Sequence, residues 1–81
     1  MDGSAIEGYN VSVFPNPAQD VLNVALASED DFEVEIMNTL GEILIKTKNQ
    51  NAIDVSDLQS GVYLVKVLNA KYLVTEKFIK K

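Results

Sequence analysis

The sequence predicts an all-β domain, an antiparallel sandwich of about seven strands, and three observations carry that reading. Apolar residues alternate with polar ones over short runs. Clusters of Asn, Asp, Gly and Pro separate those runs at short intervals, as turns do in an antiparallel β protein. No stretch shows the repeat of roughly 3.6 residues that marks an amphipathic helix.

Tyr9, Val11 and Val13 share one side of a first strand, from about Tyr9 to Phe14. Pro15-Asn16-Pro17 ends it. Each proline lacks an N–H and pushes its predecessor towards extended geometry, so this corner reads as a stiff crossover. Leu22, Val24 and Leu26 line one face of a second strand, and Ser28 to Asp31 form a charged loop. Phe32, Val34 and Ile36 alternate with Glu33 and Glu35 in the cleanest half-buried strand of the chain. Asn38-Thr39-Leu40-Gly41 turns it back, with Gly41 free to take positive φ. Ile43, Ile45 and Thr47 are expected on the inward face of the return strand, opposite Lys46 and Lys48.

Asn49 to Asn51 make a polar loop, and Ile53 and Val55 a short fifth strand. In the turn from Ser56 to Gly61 the lone apolar residue, Leu58, is expected to fold inward and plug one end of the core. Val62 to Leu68 is almost continuously apolar, which predicts a central strand covered on both faces. Asn69-Ala70-Lys71 turns into the last strand, Tyr72 to Ile79. Its faces are ambiguous, because Glu76 shares a side with Tyr72, Val74 and Phe78, and Lys77 shares one with Leu73 and Ile79. Strands of this number and spacing suggest the immunoglobulin-like sandwich, without the Cys and Trp signature of antibody domains.

Composition narrows the function. A chain of 81 residues makes one domain; it buries only roughly 60% of its unfolded surface, a thin but sufficient core. Residues 1–8 read as an N-terminal linker or remnant and 9–81 as the domain. The N-terminus, Met1 to Ser4, has no basic patch or apolar core, so no signal peptide is expected there. No apolar run approaches the roughly 20 residues of a membrane helix, so no membrane insertion is expected.

The sequence has no His, no Cys and no Arg. These absences remove the usual general base, the thiol nucleophile, zinc clusters and the bidentate grip on phosphate. With a net charge of −5, the chain also repels a nucleic-acid backbone. No catalytic, cofactor or metal site is expected.

The remaining motifs have bland readings. Glu29-Asp30-Asp31 could offer oxygen ligands to calcium, but no regular ligand loop accompanies it, and a solvated turn is favoured. Asp20, Asp54 and Asp57 could supply paired carboxylates for glycoside hydrolysis, yet so thin a domain has little room for a cleft. Asn10-Val11-Ser12 matches a glycosylation sequon, a pattern short enough to recur by chance.

Two longer features stand out: Phe14-Pro15-Asn16-Pro17-Ala18-Gln19-Asp20 running into Val21 to Val24, and Ile53 to Val67 with its Gly61-Val62-Tyr63 core. A terminal strand ending Lys77-Phe78-Ile79-Lys80-Lys81 follows. Taken in this order, they make the chain resemble the C-terminal sorting domain of the type IX secretion system, type A. That family opens on a proline–Asn–proline corner followed by an acidic or Gly residue, matching Pro15, Asn16, Pro17 and Asp20. It continues through a strand pair around a Gly, here Gly41, to an aspartate-bearing strand, a Leu-containing turn and a Gly-x-Tyr strand, matching Asp54, Leu58, Gly61 and Tyr63. It ends on a Lys-bearing strand, matching Lys77, Lys80 and Lys81.

The resemblance implies a transport address. Its partners would be the type IX outer-membrane translocon, shuttle proteins and a cell-surface sortase. The domain would follow a covalently linked upstream cargo, reach the periplasm of a Gram-negative bacterium with it, and be cleaved as the cargo is attached to the surface. The chain would then be part of a larger precursor. Five of the seven lysines lie in the last sixteen residues and nine of the twelve acids precede residue 50. This charge separation gives the C-terminal end a sign a receptor can read at long range; Lys on an edge strand also blocks sheet-to-sheet aggregation. The alternatives are a passive immunoglobulin-like or fibronectin-like spacer or adhesion module and, less favoured, a carbohydrate-binding module, for which only Tyr9, Tyr63 and Tyr72 could stack on a sugar.

Overall fold

In the computed structural model, which describes residues 11–26 and 30–81, every regular element is a strand. The strands are β1 (Val11–Phe14), β2 (Val21–Leu26), β3 (Phe32–Met37), β4 (Ile43–Lys48), β5 (Ala52–Asp54), β6 (Gly61–Asn69) and β7 (Leu73–Lys80). They form two antiparallel sheets, ordered β1-β2-β5 and β4-β3-β6-β7. This is the expected seven-strand immunoglobulin-like sandwich. The expected N-terminal linker, Tyr9, the sequon residue Asn10 and Glu29 lie outside the described residues.

Alternation builds the core directly. Leu22, Val24, Ile53 and Val55 face inward from the three-stranded side. Val34, Ile36, Val65, Val67 and Phe78 meet them from the four-stranded side, each almost wholly buried. Leu58 packs against this cluster, partly buried as expected. The ambiguous last strand resolves in favour of Val74 and Phe78, which are buried while Leu73, Thr75, Lys77 and Ile79 are exposed.

Asparagine side chains set the turns. Asn38 Oδ1 accepts from the Leu40 and Glu42 N–H groups at 2.9 and 3.0 Å, and Gly41 takes φ +88°. Asn69 Oδ1 accepts from the Lys71 and Tyr72 N–H groups in the β6–β7 turn in the same way. These are local Asx arrangements that mimic backbone turns.

Two expectations need correction. Ile43 is 52% exposed rather than inward. The register between β3 and β4 shifts at Ile36 and Met37, so Ile45 faces Ile36 but Ile43, not Leu44, faces Met37. The extra residue is a β-bulge, which turns the side chains beyond it to the other face. The central strand β6, though flanked by β3 and β7, is buried on one face alone. Tyr63, Val65 and Val67 are buried, whereas Val62 is exposed and Leu64, Lys66 and Leu68 are half-buried. A two-layer sandwich has no third layer to cover that outer side, and the apolar run instead forms part of the molecular surface.

Candidate functional site

The proline corner and the C-terminal strand, far apart in sequence, meet at one end of the sandwich. β7 is an edge strand, and its outward main-chain groups near the C-terminus need partners. Pro15 and Pro17 cannot donate to them. Asn16 takes over through its side chain, Oδ1 accepting the Ile79 N–H at 2.9 Å. The Ala18 N–H donates to the Ile79 carbonyl at 2.8 Å, and the Lys81 N–H donates to the Ala18 carbonyl at 2.8 Å. Ala18 and Lys80 thereby form a short parallel bridge. The corner is held on its other side by the Val55 N–H, which donates to the Asp20 carbonyl at 2.8 Å. The result is a clasp joining both sheets.

This clasp gathers most of the residues singled out in the sequence. Pro15, Pro17, Gln19, Asp20, Val21 and Lys81 line a shallow, open cleft of about 390 Å³. Asn16 and Gly61 flank it through their hydrogen-bonded partners in β7, Gly61 lying opposite Lys80. So open a concavity offers a surface to a protein or peptide rather than an enclosure for a small ligand.

One residue sits differently from the expectation of a basic, exposed tail. Lys80 is only 8% exposed, its stem packed at the end of the core and its Nζ 3.4 Å from the Lys81 carbonyl. It alternates onto the same face as Phe78, so only Lys77 and Lys81 of the terminal lysines are exposed. Lys77 projects from the outer face of the four-stranded sheet, in register with Leu64.

Tyr63 is buried. Its ring stacks on Phe78 with centroids 5.7 Å apart, and its hydroxyl donates to the Gln59 carbonyl at 2.6 Å. A tyrosine at the start of the sixth strand that ties back to the preceding loop is the tyrosine corner of immunoglobulin-like sandwiches.

Gly61 takes φ +154°, a conformation that L side chains rarely adopt, and its Cβ position would meet open space. The glycine is therefore required by the backbone, not by crowding.

Sequence reasoning passed over Ala18. It is fully buried and makes main-chain bonds both to Ile79 of β7 and to Lys81 just beyond it. The signal available was a small apolar residue placed immediately after a corner that cannot itself donate hydrogen bonds.

The carboxylates have structural employment. Asp54 Oδ1 accepts from the Ser56 hydroxyl at 2.6 Å and from its N–H at 2.9 Å. The hydroxyl bond first, then the N–H, holds the Asp54 carboxyl below the usual carboxylate range. Asp30 pairs with Lys71 at 3.4 Å, and Asp31 accepts from Asn49 at 3.4 Å. Among the described residues no group of three or more acidic, His or Cys side chains is placed to hold a metal ion.

Comparison with known proteins now decides between an address and a spacer. A family model described as the secretion system C-terminal sorting domain matches residues 12–81. The chain belongs to that family. It is also 33% identical over 79 residues to an endo-acting ulvan lyase of Formosa agariphila, covering 89% of this chain and 15% of that enzyme. A beta-agarase D of Zobellia galactanivorans is 34% identical over 61 residues, covering 74% of this chain and 12% of that enzyme.

The chain thus spans less than a sixth of the length of these relatives, and the activities in their names belong to proteins much larger than this domain. The type IX sorting domain is a C-terminal signal for an attached cargo, and the resemblance drawn from the Pro15 corner, Gly61-x-Tyr63 and the lysine-bearing end is borne out as family membership.

Proposed function

We propose that this sorting domain directs an upstream cargo protein through the outer membrane by the type IX translocon. A cell-surface sortase then cleaves the domain and attaches the cargo to the surface. Recognition lies on the clasp end, where Pro15 to Asp20 lie beside Lys81, with Lys77 as a further contact on the neighbouring sheet face. The observation that supports this reading is the hydrogen-bonded bridge between Asn16-Pro17-Ala18 and Ile79-Lys80-Lys81. It assembles the two ends of the family's motif into one surface, so a receptor could read both at once. Lys80 serves this surface from beneath, as packing.

The test is a periplasm-targeted reporter fused ahead of the domain in a bacterium with the type IX machinery. The intact fusion should reach the cell surface. Lys81→Ser and Lys77→Ser, each with an unchanged unfolding midpoint, should leave more reporter in the periplasm. An intact fusion that stays periplasmic would defeat the sorting reading and favour a spacer. Equal export of all three fusions would remove the lysines from recognition and leave the Pro15 to Asp20 side as the contact.

A further inference from the structure

The outer face of the four-stranded sheet carries an apolar stripe that folding does not use. Register aligns Ile43 on β4, Met37 on β3 and Leu64 on β6 in one row. Val62 and Ile79 make the next row, at 44% and 43% exposure. The bulge adds Leu44, itself 45% exposed. Together these side chains make one contiguous exposed apolar patch bordered by charged residues, the arrangement that interaction sites share.

Charge frames the stripe. Among the described residues Lys46, Lys48, Lys66 and Lys77 alternate onto this face, against Glu33 and Glu35, with Asp31 beside Glu33 and Lys48 at the end far from the stripe. Glu35 is already neutralised, held between Lys66 at 3.2 Å and Lys46 at 3.7 Å and only 8% exposed. Next to the stripe Lys46, Lys66 and Lys77 outnumber Glu35, so this part of the face is positive in a chain whose net charge is −5.

We propose that this outer face docks a protein partner presenting an apolar centre edged by carboxylates. A second copy of the chain fits poorly, because a two-fold contact would set lysines against lysines. A lipid surface fits poorly too. The Glu35–Lys46–Lys66 cluster bordering the stripe would have to leave water with no polar partner in an acyl layer, whereas carboxylates at the edge of a protein can pair with it. The exposed apolar residues are also aliphatic, without the Trp and Tyr that favour membrane interfaces. A protein surface of opposite charge satisfies both parts of the face, the apolar row giving area and the lysines orientation.

The proposal relies on the sorting reading only for the cell in which it is tested. A photoreactive benzoylphenylalanine replaces Leu64 in the reporter fusion, and in a control replaces Ala52, exposed on the opposite sheet. Irradiation of growing cells of the type IX bacterium should join the Leu64 probe, but not the Ala52 probe, to one protein identified by mass spectrometry. Adding Lys77→Glu should lower the yield several-fold at an unchanged unfolding midpoint, and Lys77→Arg should restore it.

Equal yields from both probes, products containing only a second copy or lipid, or indifference to Lys77→Glu would overturn the docking face. The reporter's location scores sorting separately. A fusion exported without a Leu64-specific product overturns this inference alone, and a product from a fusion that stays periplasmic overturns sorting alone.

Discussion

Replacing Tyr63 by Phe removes one atom and separates two roles for this residue. The ring stays, and with it the stacking on Phe78 and the buried apolar area. What disappears is the 2.6 Å hydrogen bond to the Gln59 carbonyl. A bond of this kind contributes about 0.5–1.5 kcal/mol net. Gln59 is exposed, so water can replace the phenol there and the loss should fall in the lower half of that range. For a domain of this size each kcal/mol lowers the melting temperature by roughly 4–8 °C. Tyr63→Phe should therefore melt roughly 2–8 °C earlier. Tyr63→Ala, which also empties space beside Phe78, should cost about 3–5 kcal/mol, much of what a small domain possesses. Thermal unfolding followed by circular dichroism measures both, and the periplasmic reporter fusion measures export. The corner reading expects Tyr63→Phe to export like the parent despite its lower melting point. A Tyr63→Phe fusion that melts like the parent yet stays in the periplasm would refute it, since the hydroxyl would then be read by a receptor.

Gly61→Val should destabilise the domain by about 1–3 kcal/mol from backbone strain alone, measured by denaturant unfolding, because no atom crowds the added Cβ; an unmoved midpoint would contradict the positive φ. Asn16→Ala deprives the Ile79 N–H of its acceptor and should speed amide hydrogen exchange at Ile79 more than at Val65; equal protection in both proteins would show that the clasp does not depend on this side chain. The Asp54 carboxyl is held below its unfolded value of ~3.9 by the Ser56 hydroxyl and N–H, so its contribution is present above that pH and lost as pH falls through the folded value. The melting-point advantage of the parent over Asp54→Asn should accordingly be fully present at neutral pH and shrink below about pH 4; a gap that widens on acidification would contradict the assignment.

Much of the fold was legible because a sandwich writes its layers in a period of two. Phe32 to Ile36 alternates cleanly, and the Asn38 to Gly41 turn sets the hairpin that follows. The outward turn of Ile43 was not legible, since one extra residue in a bulge reverses the facing of all residues past it. The continuous apolar run of β6 suggested two covered faces, whereas the structure leaves one of them open. Period alone cannot distinguish a strand buried on both sides from one whose outer side carries an exposed apolar stripe. At the clasp, the residue types of the motif were visible but their partners were not. Asn16 meets Ile79 across 63 positions, and no local pattern encodes such a contact. Lys80 misled for a related reason. Lysine is rarely buried, but its long stem can pack while its ammonium reaches a carbonyl at the edge, and its neighbour in space is Ala18.

On the proposed function, recognition and folding draw on overlapping residues at this end of the domain, and that overlap governs how variants must be read. Asn16, Ala18, Gly61, Tyr63 and Lys80 all secure the junction of the proline corner, the loop before β6 and the end of β7. Loss of any one loosens the surface a receptor would touch, even if the receptor never contacts that residue. Pro15, Pro17, Asp20, Lys77 and Lys81 present exposed side chains and can change without opening the core. A motif held in common by sorting domains can thus reflect a shared need to build one end of a small sandwich, with the read-out residues a minority within it. An export defect at the first group bears on recognition only when stability is unchanged, whereas a defect at the second group bears on it directly.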